Sequence, residues 1–167
     1  SDVRAGDMVA TIKIIPLAVA AQAVDRSSEL LAEGSAFEVK PYAAHKVALI
    51  ATELPSLKRS VMDKTRAILE ARLSASGSTV ASEQRVPHKA SDVAQSIRSL
   101  VGSHDMLVVF GASAVADAED VIPAAIRAAG GVVEQVGLPV DPGNLLVLGQ
   151  ADGKPVIGAP GCARSPK

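Results

Sequence analysis

Asp117, Glu119 and Asp120 fall within four residues, just after the small-residue run Gly111-Ala112-Ser113. Carboxylates three apart share a face once a helix has begun. A pair of them beside a phosphate suits Mg2+, which usually takes one or two carboxylates plus phosphate oxygens and water. Small residues let a ligand approach the backbone closely. Asp117 and Asp120 are therefore candidates for catalytic and metal-ligating roles, and Gly111, Ala112 and Ser113 for contact with a ligand. A structural alternative stays open, because acidic residues at a helix start also complement its dipole or cap it.

Other loops carry chemistry of the same kind. Thr52-Glu53-Leu54-Pro55 follows an apolar run, and Glu53 is either a metal-facing carboxylate or a surface acid. Asp141-Pro142-Gly143-Asn144 reads as a turn. In Ala159-Pro160-Gly161-Cys162-Ala163-Arg164-Ser165, Gly161, Arg164 and Ser165 together suit an anion, combining accessible backbone with a bidentate donor. Arg164 is otherwise a solvated charge. Cys162 is a nucleophile only with a spatial partner; without one it is a small tolerated residue. His45, His88 and His104 lack Cys or acidic companions at ligand spacing, so zinc is not expected. Neither a P-loop nor a typical dinucleotide fingerprint occurs.

The elements that must position these loops alternate. Lys46–Ala51, Thr79–Gln84, Met106–Phe110, Val132–Val136, Leu145–Leu148 and Pro155–Ile157 read as strands. Helices are predicted over Ser60–Leu73, from a cap at Ser91 or Asp92 to Leu100, and over Val121–Ala129. This pattern predicts an α/β fold, three-layer α/β/α, with a largely parallel sheet. In such sheets ligands sit beyond the carboxyl ends of the strands. Residues 1–43, with a strand over Met8–Ile15, a helix over Leu17–Ala32 opened by Pro16 and stopped by Gly34, and a short strand at Phe37–Lys40, read as an appendage or the remnant of a preceding domain. Residues 44–167 form the main domain, expected to be truncated at its C-terminal end.

Composition narrows the function. The 167 residues are 48% hydrophobic with a formal net charge of −1, enough for a core and without the basic footprint of a nucleic-acid binder. One Tyr, two Phe and no Trp leave little to stack on bases. The run Ile14–Ala23 lacks a positively charged n-region and is broken by Pro16, so it is not read as a signal peptide. No run reaches membrane-span length. A single cysteine excludes an internal disulfide and suits a reducing compartment; the expected location is the cytoplasm.

Taken in order, these loops resemble the molybdopterin-binding domain shared by molybdopterin adenylyltransferases, molybdopterin molybdotransferases and gephyrin. The family's Thr-Gly-Gly-x-Ser/Gly-x-Gly-x-x-Asp stretch is similar to Phe110–Asp120, followed by Val121-Ile122-Pro123. Its Pro-Gly-Lys-Pro segment resembles Pro142-Gly143-Asn144-Leu145. Its Leu-Pro-Gly-Asn-Pro segment resembles Ala159–Ala163, and its first acidic loop Thr52-Glu53-Leu54. The second glycine of Gly-Gly is Ala112 here and a later one is Ala116. One residue is inserted, so the family acid is Asp117 or Asp120. The chain looks like a divergent branch.

The resemblance implies a molybdopterin-binding-domain-like fold acting in molybdenum cofactor synthesis or insertion. Its ligand would be molybdopterin or a related phosphorylated small molecule, held by Thr52, Glu53, Gly111, Ala112, Ser113, Pro142, Gly143, Asn144, Pro160, Gly161, Arg164 and Ser165. Backbone N–H groups of the small-residue loops would cradle the phosphate. Mg2+ would sit on Asp117, Asp120 and Glu53. Transfer chemistry of the adenylyltransferase or molybdotransferase kind is one expectation, and a non-catalytic cofactor-binding or assembly module is another. A doubly wound domain for a different phosphorylated molecule is the third. Partners are expected to be that small molecule and copies of the chain, in a homo-oligomer (trimer or dimer), without nucleic acid or membrane.

Overall fold

Strand β1 (Lys46–Glu53) is apolar on both faces, as a central strand of a covered sheet must be. Val47, Leu49 and Ala51 point into one cluster with Met62 and Leu69 of helix α2 (Arg59–Ser74). Ala48 and Ile50 point the other way, among Val93 and Ile97 of α3 (Ala90–Leu100) and Ile122 and Ile126 of α4 (Val121–Ala128). Strand β3 (Met106–Phe110) repeats the alternation, with Leu107 and Val109 on the α3–α4 side and Val108 and Phe110 on the α2 side. The result is the three-layer α/β/α arrangement expected from the sequence. The computed structural model describes residues 3–9, 17–34, 38–113, 115, 117–138 and 143–164.

The remaining strands are β2 (Thr79–Pro87), β4 (Val132–Val136), β5 (Val147–Ala151) and β6 (Lys154–Ala159). Among the described residues the sheet order is β2-β1-β3-β6-β5-β4. The β1–β2, β1–β3 and β3–β6 pairs are parallel, and the β4–β5 and β5–β6 pairs antiparallel. Asp152-Gly153 closes the β5–β6 hairpin with φ of 48° and 68°, the left-handed pair that a tight two-residue hairpin turn needs. Because β4 and β6 both run against β5, all strands but β5 end at one edge of the sheet. That edge collects the described parts of the loops singled out in the sequence.

The chain divides into two units, Ser1–Pro41 and Tyr42–Lys167. In the first, helix α1 spans Ala21–Glu33 and none of its residues is buried. It starts later than the expected Leu17, with Ala20 at the cap position, and Pro16 lies outside the described residues. The expected strand Met8–Ile15 falls largely outside the described residues, as does Phe37, and Glu38–Lys40 is not strand. In the second unit, neither Ser91 nor Asp92 caps α3. The helix begins at Ala90, with Lys89 at the cap position and no side-chain cap bond. The expected strand at Leu145 begins only at Val147, because Leu146 N–H turns back to the Gly143 carbonyl at 3.0 Å.

Candidate functional site

Thr52, fully buried near the end of β1, holds the centre of the carboxyl edge. Its hydroxyl donates to the Phe110 carbonyl at 3.1 Å, crossing to the neighbouring strand. The same oxygen accepts the Ala112 N–H at 2.7 Å and lies 2.9 Å from His88 Nδ1. His88 Nε2 is 3.0 Å from Ser113 Oγ. A threonine hydroxyl carries one hydrogen, and here it goes to Phe110. His88 Nδ1 therefore donates to Thr52, which leaves Nε2 to accept from the Ser113 hydroxyl. The order Ser113, His88, Thr52, Phe110 is one continuous relay with the imidazole neutral.

Its placement follows from the ladder. His88 N–H donates to the Glu53 carbonyl at 2.9 Å, extending the β1–β2 pairing by one step and folding the ring over the end of β1. Burial is the main cause that lowers the His88 pKa from its ordinary value; nearby Asp120 opposes the shift and Arg164 adds to it. Both charged groups thus act on His88 across the same edge. Sequence reasoning considers His88 only as a zinc ligand. Its position immediately after a strand is the available signal, because that is where the other loops of interest begin.

Gly111 and Ala112 are where they are expected, at the end of β3, but their N–H groups are committed. Gly111 N–H bonds the Ala159 carbonyl at 2.8 Å and Ala112 N–H bonds Thr52. The backbone cradle expected at these two positions is therefore closed by the protein itself. Gly111 is not in the left-handed region. It is favoured by crowding, since a Cβ there would lie 3.0 Å from the Ser113 carbonyl and 3.2 Å from Ile122 Cδ1.

Asp117 and Asp120 do come together, in a loop and not on a helix. α4 begins at Val121, so the shared helical face fails. Asp120 sits at the cap position without a side-chain cap bond. Its Oδ2 accepts the Asp117 N–H at 3.0 Å, and Asp117 Oδ1 accepts the Glu119 N–H at 2.7 Å. Arg127 pins this turn from the far end of α4, through the Ala118 carbonyl at 2.6 Å and Glu119 at 3.0 Å. Each aspartate thus has one oxygen bonded to a backbone N–H of the same turn. Glu53 does not join them: among the described residues no three His, Cys, Asp or Glu gather at metal-holding distance.

On the other side of β3, Pro160 leads into a 3-10 turn, Gly161–Arg164. Helix α2 braces this turn twice. Arg72 donates to the Ala163 carbonyl at 2.7 Å, and Arg164 Nε donates to Thr65 Oγ1 at 2.9 Å. The Arg164 guanidinium lies 5.8 Å from the centroid of the Phe110 ring, and burial presses its pKa below the usual arginine value. Its Nη2 is the one buried side-chain polar atom without a hydrogen-bond partner among the described residues. Cys162 is an exposed free thiol. Gly143, with φ of 137°, receives the Leu138 and Leu146 N–H groups at 3.0 Å each, and with Asn144 lies in the β4–β5 hairpin at the same edge. Pro142 and Ser165 lie outside the described residues.

A multi-loop edge of this kind on a three-layer sheet has a counterpart. The family described as "Probable molybdopterin binding domain" matches residues 46–167. The chain belongs to this family. Among solved structures, the CinA protein of unknown function from Thermoplasma acidophilum is similar at a TM-score of 0.54 and 14% identity, over 75% of this chain and 92% of that one. That likeness supports the fold. The molybdopterin biosynthesis protein MoeA from Pyrococcus horikoshii matches at a TM-score of 0.48 and 20% identity, over 82% of this chain and 35% of that one. The molybdopterin biosynthesis enzyme MoaB from Thermus thermophilus matches at a TM-score of 0.49 and 18% identity, over 73% of this chain and 82% of that one. The chain thus spans about a third of the length of the MoeA protein. No curated protein matches the sequence. Among the described residues no helix is long and apolar enough to cross a membrane.

Proposed function

We propose that this domain binds molybdopterin, or the molybdenum cofactor built on it, at the carboxyl edge of the sheet, and serves cofactor synthesis or insertion. Supporting this is the convergence of the Thr52, His88, Gly111–Ser113, Asp117–Asp120, Gly143–Asn144 and Gly161–Arg164 segments at one edge of a molybdopterin-binding family domain. Ser113, Asn144 and the backbone of Gly161 supply polar contacts for a pterin, and side chains rather than stacking aromatics set its orientation. Holding and handing over the cofactor is favoured over transfer. The backbone donors that would stabilise a transferring phosphate at Gly111 and Ala112 are already used, and Glu53 stands apart from the aspartate pair. Mg2+, if it takes part, would sit on Asp117 and Asp120 and neutralise ligand phosphate. The exposed free thiol of Cys162 suits a reducing compartment, the cytoplasm. Self-association as a trimer or dimer is proposed from the exposed Val24, Leu30 and Leu31 of α1; sedimentation showing a monomer at all concentrations would overturn that.

Native mass spectrometry of the full chain with molybdopterin tests the central reading. A one-to-one complex is expected, and turnover of ATP with Mg2+ is not. Failure to bind molybdopterin, or a different phosphorylated molecule copurifying at the same stoichiometry, would sink it.

A further inference from the structure

The relay at this edge has a direction, and the direction decides what its outer end can recognise. At its inner end Phe110 offers a carbonyl, which takes the Thr52 hydrogen at 3.1 Å. Thr52 Oγ1 then meets its other two neighbours, Ala112 N–H and His88 Nδ1, only as an acceptor. Nδ1 therefore carries the imidazole hydrogen. Nε2 is bare and takes the hydrogen of Ser113 Oγ, 3.0 Å away. Every side-chain hydrogen in the relay is spent toward the core. Ser113 Oγ ends it with lone pairs alone, so any further group it meets must be a donor. Hydrogen bonds in series polarise one another, which makes this oxygen a better acceptor than an isolated hydroxyl.

The surroundings hold that polarity. Burial lowers the His88 pKa, and only the neutral ring leaves Nε2 able to accept. The ring is anchored through backbone, by His88 N–H on the Glu53 carbonyl at 2.9 Å. Swinging the Ser113 hydrogen outward to a phosphate oxygen would cost the bond to Nε2. Ser113 itself is exposed, and its loop is tied down by the Gly111 and Ala112 N–H groups. Removing the hydroxyl thus changes recognition and leaves the loop in place.

We propose that Ser113 is a specificity-determining acceptor of this edge, that it takes an N–H of the ligand ring, and that in a pterin this is the exocyclic 2-amino group. The inference rests on the reading of the edge as a pterin site. It gives that site a rule. An amino group opposite Ser113 is bound, and an oxygen in its place is rejected, because two acceptors then face each other unpaired. Thr52 and His88 are positioning residues, since they set which atom of the relay carries each hydrogen.

The test uses the full chain at about pH 7.5, above the ordinary histidine pKa of about 6.5. The probes are pterin and lumazine, which carries an oxygen where pterin carries the 2-amino group. The chain has no Trp, so the fluorescence of the pteridine reads both titrations. The wild type is expected to bind pterin at least about tenfold more tightly than lumazine, the scale of one hydrogen bond. Ser113→Ala should bring the two affinities within about twofold, and Ser113→Thr, which keeps the hydroxyl, should retain the preference. Nitrogen-15 NMR of the ligand-free protein should find the His88 ring neutral, with its hydrogen on Nδ1. A hydrogen on Nε2, equal wild-type affinities, or a preference that survives Ser113→Ala or vanishes in Ser113→Thr would each overturn the proposal. Protein that binds pterin and lumazine equally and also binds molybdopterin sinks this inference and sustains the cofactor reading. Protein that binds neither pteridine overturns the inference too, and a parallel molybdopterin titration then decides the cofactor reading by itself.

Discussion

Replacing Thr52 by Val tests the relay at its hub. Valine keeps the β-branched shape that suits a strand and removes the oxygen that Ala112 N–H, His88 Nδ1–H and the Phe110 carbonyl share. Ala112 N–H and His88 Nδ1–H would then face a methyl group. A buried polar group left unpaired costs about 1–3 kcal/mol. Both donors are only half-buried, which places two of them near the low end of that range, about 3 kcal/mol together. Thr52→Ser is the control. It retains the hydroxyl and loses one buried methyl, about 1 kcal/mol with its small cavity. Equilibrium urea denaturation of both variants gives the difference directly, and the serine variant should be the more stable by about 2 kcal/mol. The same pair should split in ligand binding, because Ala112 N–H is what ties the Gly111–Ser113 loop to β1. A valine variant as stable as the serine variant, with binding intact, would refute the claim that this hydroxyl holds the loop.

Gly111→Val should abolish cofactor binding and destabilise the domain by about 1–3 kcal/mol through overpacking, since its Cβ would press the Ser113 carbonyl and Ile122; calorimetry and urea titration read the two effects. Asp120→Asn should leave the urea midpoint nearly unchanged, because an amide oxygen can still accept the Asp117 N–H, while any Mg2+-dependent gain in ligand affinity falls; Asp117→Asn should behave alike, and full metal dependence in both would make the pair purely structural. His88 gives a pH signature. Its folded pKa lies below the unfolded value of about 6.5, mainly from burial, so the unfolded chain binds more protons between the two values. Stability should therefore fall as pH drops from about 6.5 toward the folded pKa, and His88→Gln should flatten that slope in pH-dependent urea midpoints.

The fold is legible in the sequence because its signal is local. Met106–Phe110 can be read to the residue, since five consecutive apolar residues between Asp105 and Gly111 leave few alternatives, and Val132–Val136 is bounded by Gly131 and Gly137. α2 and α3 are placed to within one residue at either end except for the cap of α3, where Ser91 and Asp92 lie inside the first turn. The site is legible only as a set of loops. That Thr52 reaches Ala112 and His88, sixty and thirty-six residues away, is a product of strand order, and no local pattern encodes it. Thr65 and Arg72 are invisible for the same reason. On the sequence they are two positions of an amphipathic helix, and only the packing of α2 under the Gly161–Arg164 turn gives them a task.

Ala112 is the position where the two levels meet. The family pattern has a glycine there, and the alanine looks like a loss of backbone freedom that should weaken a phosphate loop. The geometry gives the substitution a different meaning. A loop whose N–H groups bond to Thr52 and Ala159 is fixed by the protein before any ligand arrives, so it needs neither the conformational range of glycine nor the ligand to order it. What such a loop gains in pre-organisation it gives up in donors, because an N–H already bonded cannot also serve a phosphate at full strength. A compensating donor must then come from a side chain. Restoring glycine at 112 alone should therefore not improve anion binding. In molybdopterin titration, Ala112→Gly is expected to stay within about twofold of the wild type. A clear gain in affinity on that single change would show that the loop's donors are limited by its conformation and not by their bonds to Thr52 and Ala159.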